Sequence, residues 1–109
     1  MDFSKKQTIF ATMDISASEL KTRLDNGEVV HLIDVREEWE HEEANLGGIL
    51  IPLATLPNRI SELEEWKNEE IVVHCRSGAR SANAKNLLNS MGFSNVRNLT
   101  GGIIGYQAL

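Results

Sequence analysis

The sequence predicts an α/β fold in which helices cover both faces of a mainly parallel central sheet of about five strands. Three observations carry this prediction. The short runs VVHLIDV, ILIPL and IVVHC are β-branched and nearly all apolar, as strands buried on both faces require. Segments with helical spacing separate them, and strands that alternate with helices pair in parallel. Glycines punctuate the junctions.

Taken in order, Ser16 to Gly27 opens with a Ser-x-x-Glu capping signature, spaces Leu20 and Leu24 four apart and ends on a glycine, so it predicts a short amphipathic helix. Val29 to Val35 is the first buried strand, followed by an acidic, helix-prone stretch from Arg36 to Asn45. Ile49 to Leu53 follows a Gly-Gly pair and reads as a second strand that Pro52 limits. Thr55 to Trp66 reads as helical. Ile71 to Cys75 is a further strand, and a helix follows from about Ser81, with Ala84, Leu87, Leu88 and Met91 on one face and Gly92 closing it. SNVRNL supplies the last strand before Gly101 and Gly102 turn the chain into a terminal segment.

With 109 residues, 41% of them hydrophobic, the chain is the size of one domain, 1–109, with a modest core. No stretch combines the features of a signal peptide or reaches membrane-spanning length, so a cytoplasmic protein with no membrane partner is expected. A single cysteine excludes an internal disulfide and fits a reducing compartment. The net charge is −5, but residues 1–70 carry −9 and residues 71–109 carry +4 from Arg76, Arg80, Lys85 and Arg97. So few cations on an acidic whole argue against nucleic-acid binding, while a local anion site stays open.

The lone Cys75 lies in that basic part, in the stretch HCRSGARSANAKN. A cysteine ending an apolar strand is commonly a small buried hydrophobe. Here the next residues, Arg76, Ser77, Gly78, Ala79 and Arg80, form a loop between the carboxyl end of a strand and a helix start, where open α/β sheets collect ligands. Backbone NH groups, the helix N-terminus and two guanidinium groups can converge there on an anion and draw the thiol toward thiolate. Gly78 gives such a cradle its bend. The loop makes Cys75 a candidate nucleophile and Arg76 to Arg80 a candidate anion-binding segment.

Asp34 and Arg36 follow the end of a neighbouring strand and face the same crevice, placed to support the loop or the substrate, or simply to pair with each other. His74 adjoins Cys75, yet adjacent strand residues point to opposite faces, so it reads as a packed or hydrogen-bonded histidine rather than a base. His31 has the same reading, and His41 sits in a charged, exposed-looking helix. None has metal-ligand spacing with Cys75, so no metal or other cofactor is expected. Trp39 and Trp66 read as core or pocket wall.

These residues resemble the rhodanese superfamily of sulfurtransferases. The likeness covers nearly the whole chain, from DVREEWE at Asp34 to Glu40, through VVHCRSGARS at Val72 to Ser81, to LTGGIIGY near the C-terminus. It implies a rhodanese-like α/β domain in which Cys75 takes the outer sulfur of a small anionic donor such as thiosulfate as a persulfide. Cyanide or a thiol, a protein thiol included, would then accept the sulfur. The backbone from Arg76 to Arg80 would cradle that sulfur and the donor. Related phosphatases and arsenate reductases have a Cys-x5-Arg loop, whereas Cys75 to Arg80 is Cys-x4-Arg and resembles the sulfurtransferase branch. A carrier or partner-binding module without turnover is the alternative the resemblance leaves. The chain departs from the family pattern at Asn45 to Ile49, where His-Ile-Pro-Gly-Ala is frequent, and at Tyr106, where tryptophan is common.

Overall fold

The computed structural model describes residues 13–109. Four strands, β1 (His31–Asp34), β2 (Ile49–Leu50), β3 (Ile71–His74) and β4 (Val96–Asn98), form one sheet in the order β2-β1-β3-β4. All neighbours are parallel, as the apolar strands separated by helices require. An isolated parallel bridge between Ile15 and Leu99 extends the sheet past β4, in place of a full fifth strand.

The helices are α1 (Ala17–Asp25), α2 (Glu38–Glu43), α3 (Ala79–Ser90) and α4 (Gly102–Gln107). Ser16 caps α1 by accepting the Glu19 NH at 3.1 Å, the bond its capping signature predicts. The two-residue period of the strands splits the core in two. Ile33, Val73 and Cys75 face Leu56 and Leu63 together with Ala84 and Leu88 of α3. Leu32 and Val72 face the other way, toward Leu20 of α1 and Tyr106 of α4. Helices therefore cover both faces. Among the described residues no helix is long and apolar enough to cross a membrane.

The stretch that reads as helical, Thr55 to Trp66, forms two 3-10 segments and no α-helix, Leu53–Asn58 and Ile60–Trp66. Pro57 lacks an NH and biases Leu56 away from α geometry, so the tighter turn wins while Leu56 and Leu63 still reach the core. Trp66 packs against that core and stacks on the His31 ring, 4.1 Å between centroids. His31 also meets Glu69 through Nε2 at 2.9 Å, so its packed reading holds.

The unusual Asn45 to Ile49 segment is a tight turn. Asn45 receives the Gly47 NH on Oδ1 at 2.8 Å and donates Nδ2 to the His41 carbonyl at 3.0 Å. Gly47 has φ +88°, and Gly48 lies so close to β1 that a Cβ there would sit 2.5 Å from the Leu32 carbonyl oxygen. Gly48→Ala should therefore force β2 from β1 and cost about 1–3 kcal/mol. Urea denaturation reads that cost, with the titration of the Cys75 thiol expected to stay where it is.

Candidate active site

The site forms where β1 and β3 end. Their register sets Asp34 opposite His74, and the Val35 NH donates to the His74 carbonyl at 3.0 Å, so Asp34 to Arg36 and Cys75 to Arg80 leave the sheet side by side. The loop then turns at Gly78, whose φ of +114° favours glycine, and α3 begins at Ala79. Its start lies two residues earlier than the sequence predicts, because Gly78 serves as the N-cap. From the opposite side Gly101 and Gly102 turn α4 toward the loop. The Ile103 NH donates to the Cys75 carbonyl at 2.9 Å, and the Ile104 NH to that of Arg76 at 3.2 Å. A Cβ on Gly102 would lie 2.3 Å from the Arg76 carbonyl oxygen, so this close approach requires glycine.

Cys75 is 1% exposed, its sulfur enclosed by the loop. Sγ accepts the Gly78 NH at 3.1 Å and lies 3.3 Å from the Ser81 hydroxyl. Burial pushes the thiol pKa up, but the Ser81 hydroxyl and the NH groups of Ser81, Gly78 and Ser77 outweigh it and hold the pKa below the ordinary cysteine value. Of the donors that the loop sequence suggests, the backbone NH groups at the start of α3 converge on the sulfur, and the guanidinium groups do not.

The two arginines divide. Arg80 makes a bidentate pair with Glu40 of α2, Nη1 to Oε1 at 2.7 Å and Nη2 to Oε2 at 2.9 Å. Glu40, 8% exposed, also receives the Glu37 NH at 3.0 Å. The Arg80 guanidinium thus holds the Glu40 carboxyl down at about 2. Arg76 is exposed and, among the described residues, within ion-pair distance of no carboxylate. Both line a cleft of about 750 Å³ beside the loop, together with Arg36, Trp39, Ile103 and Ile104.

Asp34 and Arg36 pair with each other in the buried interior. Arg36 donates from Nε and Nη2 to both Asp34 oxygens at 2.8–3.2 Å and from Nη2 to the Ala44 carbonyl at 2.6 Å. His41, expected to be exposed, places Nδ1 2.9 Å from Asp34 Oδ2 and is half-buried, because α2 folds back over the strand end. His74 is buried with neither ring nitrogen hydrogen-bonded, so of its two expected readings it is packed. Burial lowers its pKa to about 4 and keeps it neutral. Trp39 is 65% exposed on the cleft rim, which makes it wall and not core. Among the described residues no cluster of His, Cys, Asp or Glu could hold a metal ion.

Sequence reading missed Ser81, Asn98 and Glu40. Ser81 follows the loop by one residue and could have been flagged as a hydroxyl in the first turn of α3, but Asn98 lies 17 residues on and Glu40 lies 40 residues before its partner.

The Glu40 carboxylate has a depressed pKa, so its stabilisation is complete above its ordinary value of 4.5 and drains away as pH falls toward 2. Glu40→Gln should be less stable at pH 7 by about 1–2 kcal/mol, below the value for a fully buried pair because Arg80 is partly exposed. The gap between wild type and variant should close between pH 4.5 and 2, as followed by circular dichroism across an acid series.

Comparison with known proteins places these features. The family model described as "Rhodanese-like domain" matches residues 16–109. The chain is 37% identical over 94 residues to a "Sulfurtransferase" of Allochromatium vinosum, covering 85% of this chain and 86% of that one. It is also 37% identical over 91 residues to the "Putative sulfur carrier protein YrkF" of Bacillus subtilis, 83% of this chain, and spans only 48% of that relative's length. "Thiosulfate sulfurtransferase PspE" of Escherichia coli is 38% identical over 73 residues, 65% of this chain and 69% of that one. Among solved structures, the rhodanese-like domain of an Anabaena protein aligns with a TM-score of 0.78 at 32% identity, covering 87% of this chain and 73% of that one. With its parallel sheet, cysteine loop and glycine-cushioned α4, the chain belongs to the rhodanese-like domain family.

Proposed function

We propose that the protein is a sulfurtransferase that moves sulfane sulfur from thiosulfate or a similar small anionic donor to cyanide or a thiol through a persulfide on Cys75. The observation that carries this reading is the set of donors around Sγ, the Gly78 NH at 3.1 Å and the Ser81 hydroxyl at 3.3 Å, which favours an anionic sulfur. Relatives named as sulfurtransferases at 37–38% identity support it.

In the first half of the cycle the Cys75 thiolate attacks the outer sulfur of thiosulfate. The Sγ–S bond forms, the sulfur–sulfur bond of the donor breaks, and sulfite leaves with the electron pair. In the second half cyanide or a thiolate attacks the outer sulfur of the persulfide; that sulfur leaves with the acceptor as Sγ recovers its electron pair as thiolate. The NH groups of the loop serve both halves, since each passes through negative charge on sulfur. Arg76, exposed at the cleft, is positioned to meet the anionic donor. This chemistry needs no metal or other cofactor.

A second reading, a sulfur carrier that passes its charge to a protein thiol without turning over small acceptors, is favoured by one feature. Trp39 and Ile104 are 65% and 43% exposed on the rim of the cleft, an apolar edge that a small anion does not use. Steady-state thiocyanate release against single transfer to a protein thiol separates the two.

Two outcomes test the proposal. Treatment with thiosulfate should add the mass of one sulfur atom to Cys75, and cyanide should remove it as thiocyanate, with both lost in Cys75→Ser; a protein left unmodified by several donors overturns the reading. Arg76→Ala should raise the KM for thiosulfate several-fold with thermal stability unchanged, because the side chain is exposed and pairs with no carboxylate among the described residues.

A further inference from the structure

Asn98 ends β4 behind the cysteine loop, and its buried carboxamide is committed on both sides. Nδ2 donates to the Gly78 carbonyl at 3.1 Å, and Oδ1 accepts the Ser81 hydroxyl at 2.5 Å. The Asn98 backbone NH is held by Asp14 Oδ1 at 3.0 Å, so the residue is anchored from a third direction. Gly78 and Ser81 each present a donor to Sγ, the Gly78 NH at 3.1 Å and the Ser81 hydroxyl at 3.3 Å.

The Ser81 hydroxyl has one proton and three acceptors in reach: Asn98 Oδ1, the Gly78 carbonyl at 3.3 Å and Sγ at 3.3 Å. Beside a neutral thiol the proton goes to the amide oxygen. A charge-assisted bond to an anionic sulfur is the stronger, so ionisation of Cys75 would draw the proton to Sγ by rotation about the Cβ–Oγ bond. One carboxamide thus holds the Ser81 oxygen and also the carbonyl side of Gly78, the residue whose NH points at the sulfur.

We propose that Asn98 is the positioning residue of the Cys75 loop, holding the Gly78 carbonyl and the Ser81 oxygen so that the Gly78 NH and the Ser81 hydroxyl face Sγ. Asn98 does not touch the sulfur; it acts through two groups that do. The inference deepens the sulfur-transfer reading, but its main test uses no sulfur donor.

Cys75 is the only thiol in the chain, so the pH dependence of iodoacetamide alkylation reports one group. Asn98→Leu, close in volume and without polar atoms, and Asn98→Ala should each raise the alkylation midpoint by about one pH unit and slow alkylation at pH 7 several-fold. Ser81→Ala should shift it similarly, and the Ser81→Ala, Asn98→Leu double variant little further, since the two act as one unit. The charged and titratable groups around the loop remain in every variant: Arg76, Arg80 with Glu40, Asp34 with Arg36 and His41, His74, and Asp14 with Lys85. A residue needed only for folding would lower thermal stability and leave the midpoint alone, so an unmoved or lowered midpoint in folded variants overturns the proposal. Should neither Asn98 variant fold, the wild-type protein supplies the test: the Asn98 side-chain NH2 resonances should shift with the Cys75 midpoint, and their indifference to it overturns the proposal. A raised midpoint in a protein that takes sulfur from no donor keeps this role for Asn98 and removes the proposed function. Sulfur transfer with an unmoved midpoint does the reverse.

Discussion

The parallel pairing of β1 with β3, in the register that sets Asp34 opposite His74, is the constraint on which the rest of the site depends. It brings two strand ends to one edge of the sheet, so that the acidic segment after β1 and the cysteine loop after β3 become neighbours although 40 residues separate Glu40 from Arg80. A slip of one residue would turn Cys75 to the face of Leu32 and Val72, away from α3. The donors that face Sγ come from α3 and the turn before it, and they reach the sulfur only because Cys75 shares a face with Val73.

Around that pairing, three buried polar groups do separate work. Asp34, Arg36 and His41 fasten α2 to the strand end, and Arg36 also holds the Ala44 carbonyl. Glu40 carries the connection on to the far end of the loop through Arg80. From below, the NH groups of Ile103 and Ile104 occupy the Cys75 and Arg76 carbonyls, which leaves the NH side of the loop directed inward at the sulfur. The loop is held at its beginning by α4, at its bend by Asn98 and at its end by α2.

The sequence reveals the local parts well. The apolar β-branched strands, the Ser16 cap, the α3 face and the glycine-hinged loop rest on interactions between residues close in the chain, and these are found. What it hides depends on distant partners. EWEHEE looks like a solvated acidic face, yet Glu40 is buried because a guanidinium from α3 neutralises it. Asn98 reads as an ordinary polar strand end, since the Gly78 carbonyl it serves lies 20 residues earlier. The two 3-10 segments were obscured for a local reason, a proline whose effect on helix type outweighs the leucine spacing.

The Glu40–Arg80 pair also sets the site's electrical character as an approaching molecule meets it. Of the two loop arginines one is already neutralised from within, and Glu37 and Glu43 line the same cleft as the remaining Arg76. The long-range field at the entrance is therefore weak, and an anion is not drawn in from a distance as it would be by an uncompensated basic funnel. Selection falls to contact: for the proposed anionic donor, Arg76 at the entrance and the inward-facing NH groups deeper in the loop would discriminate.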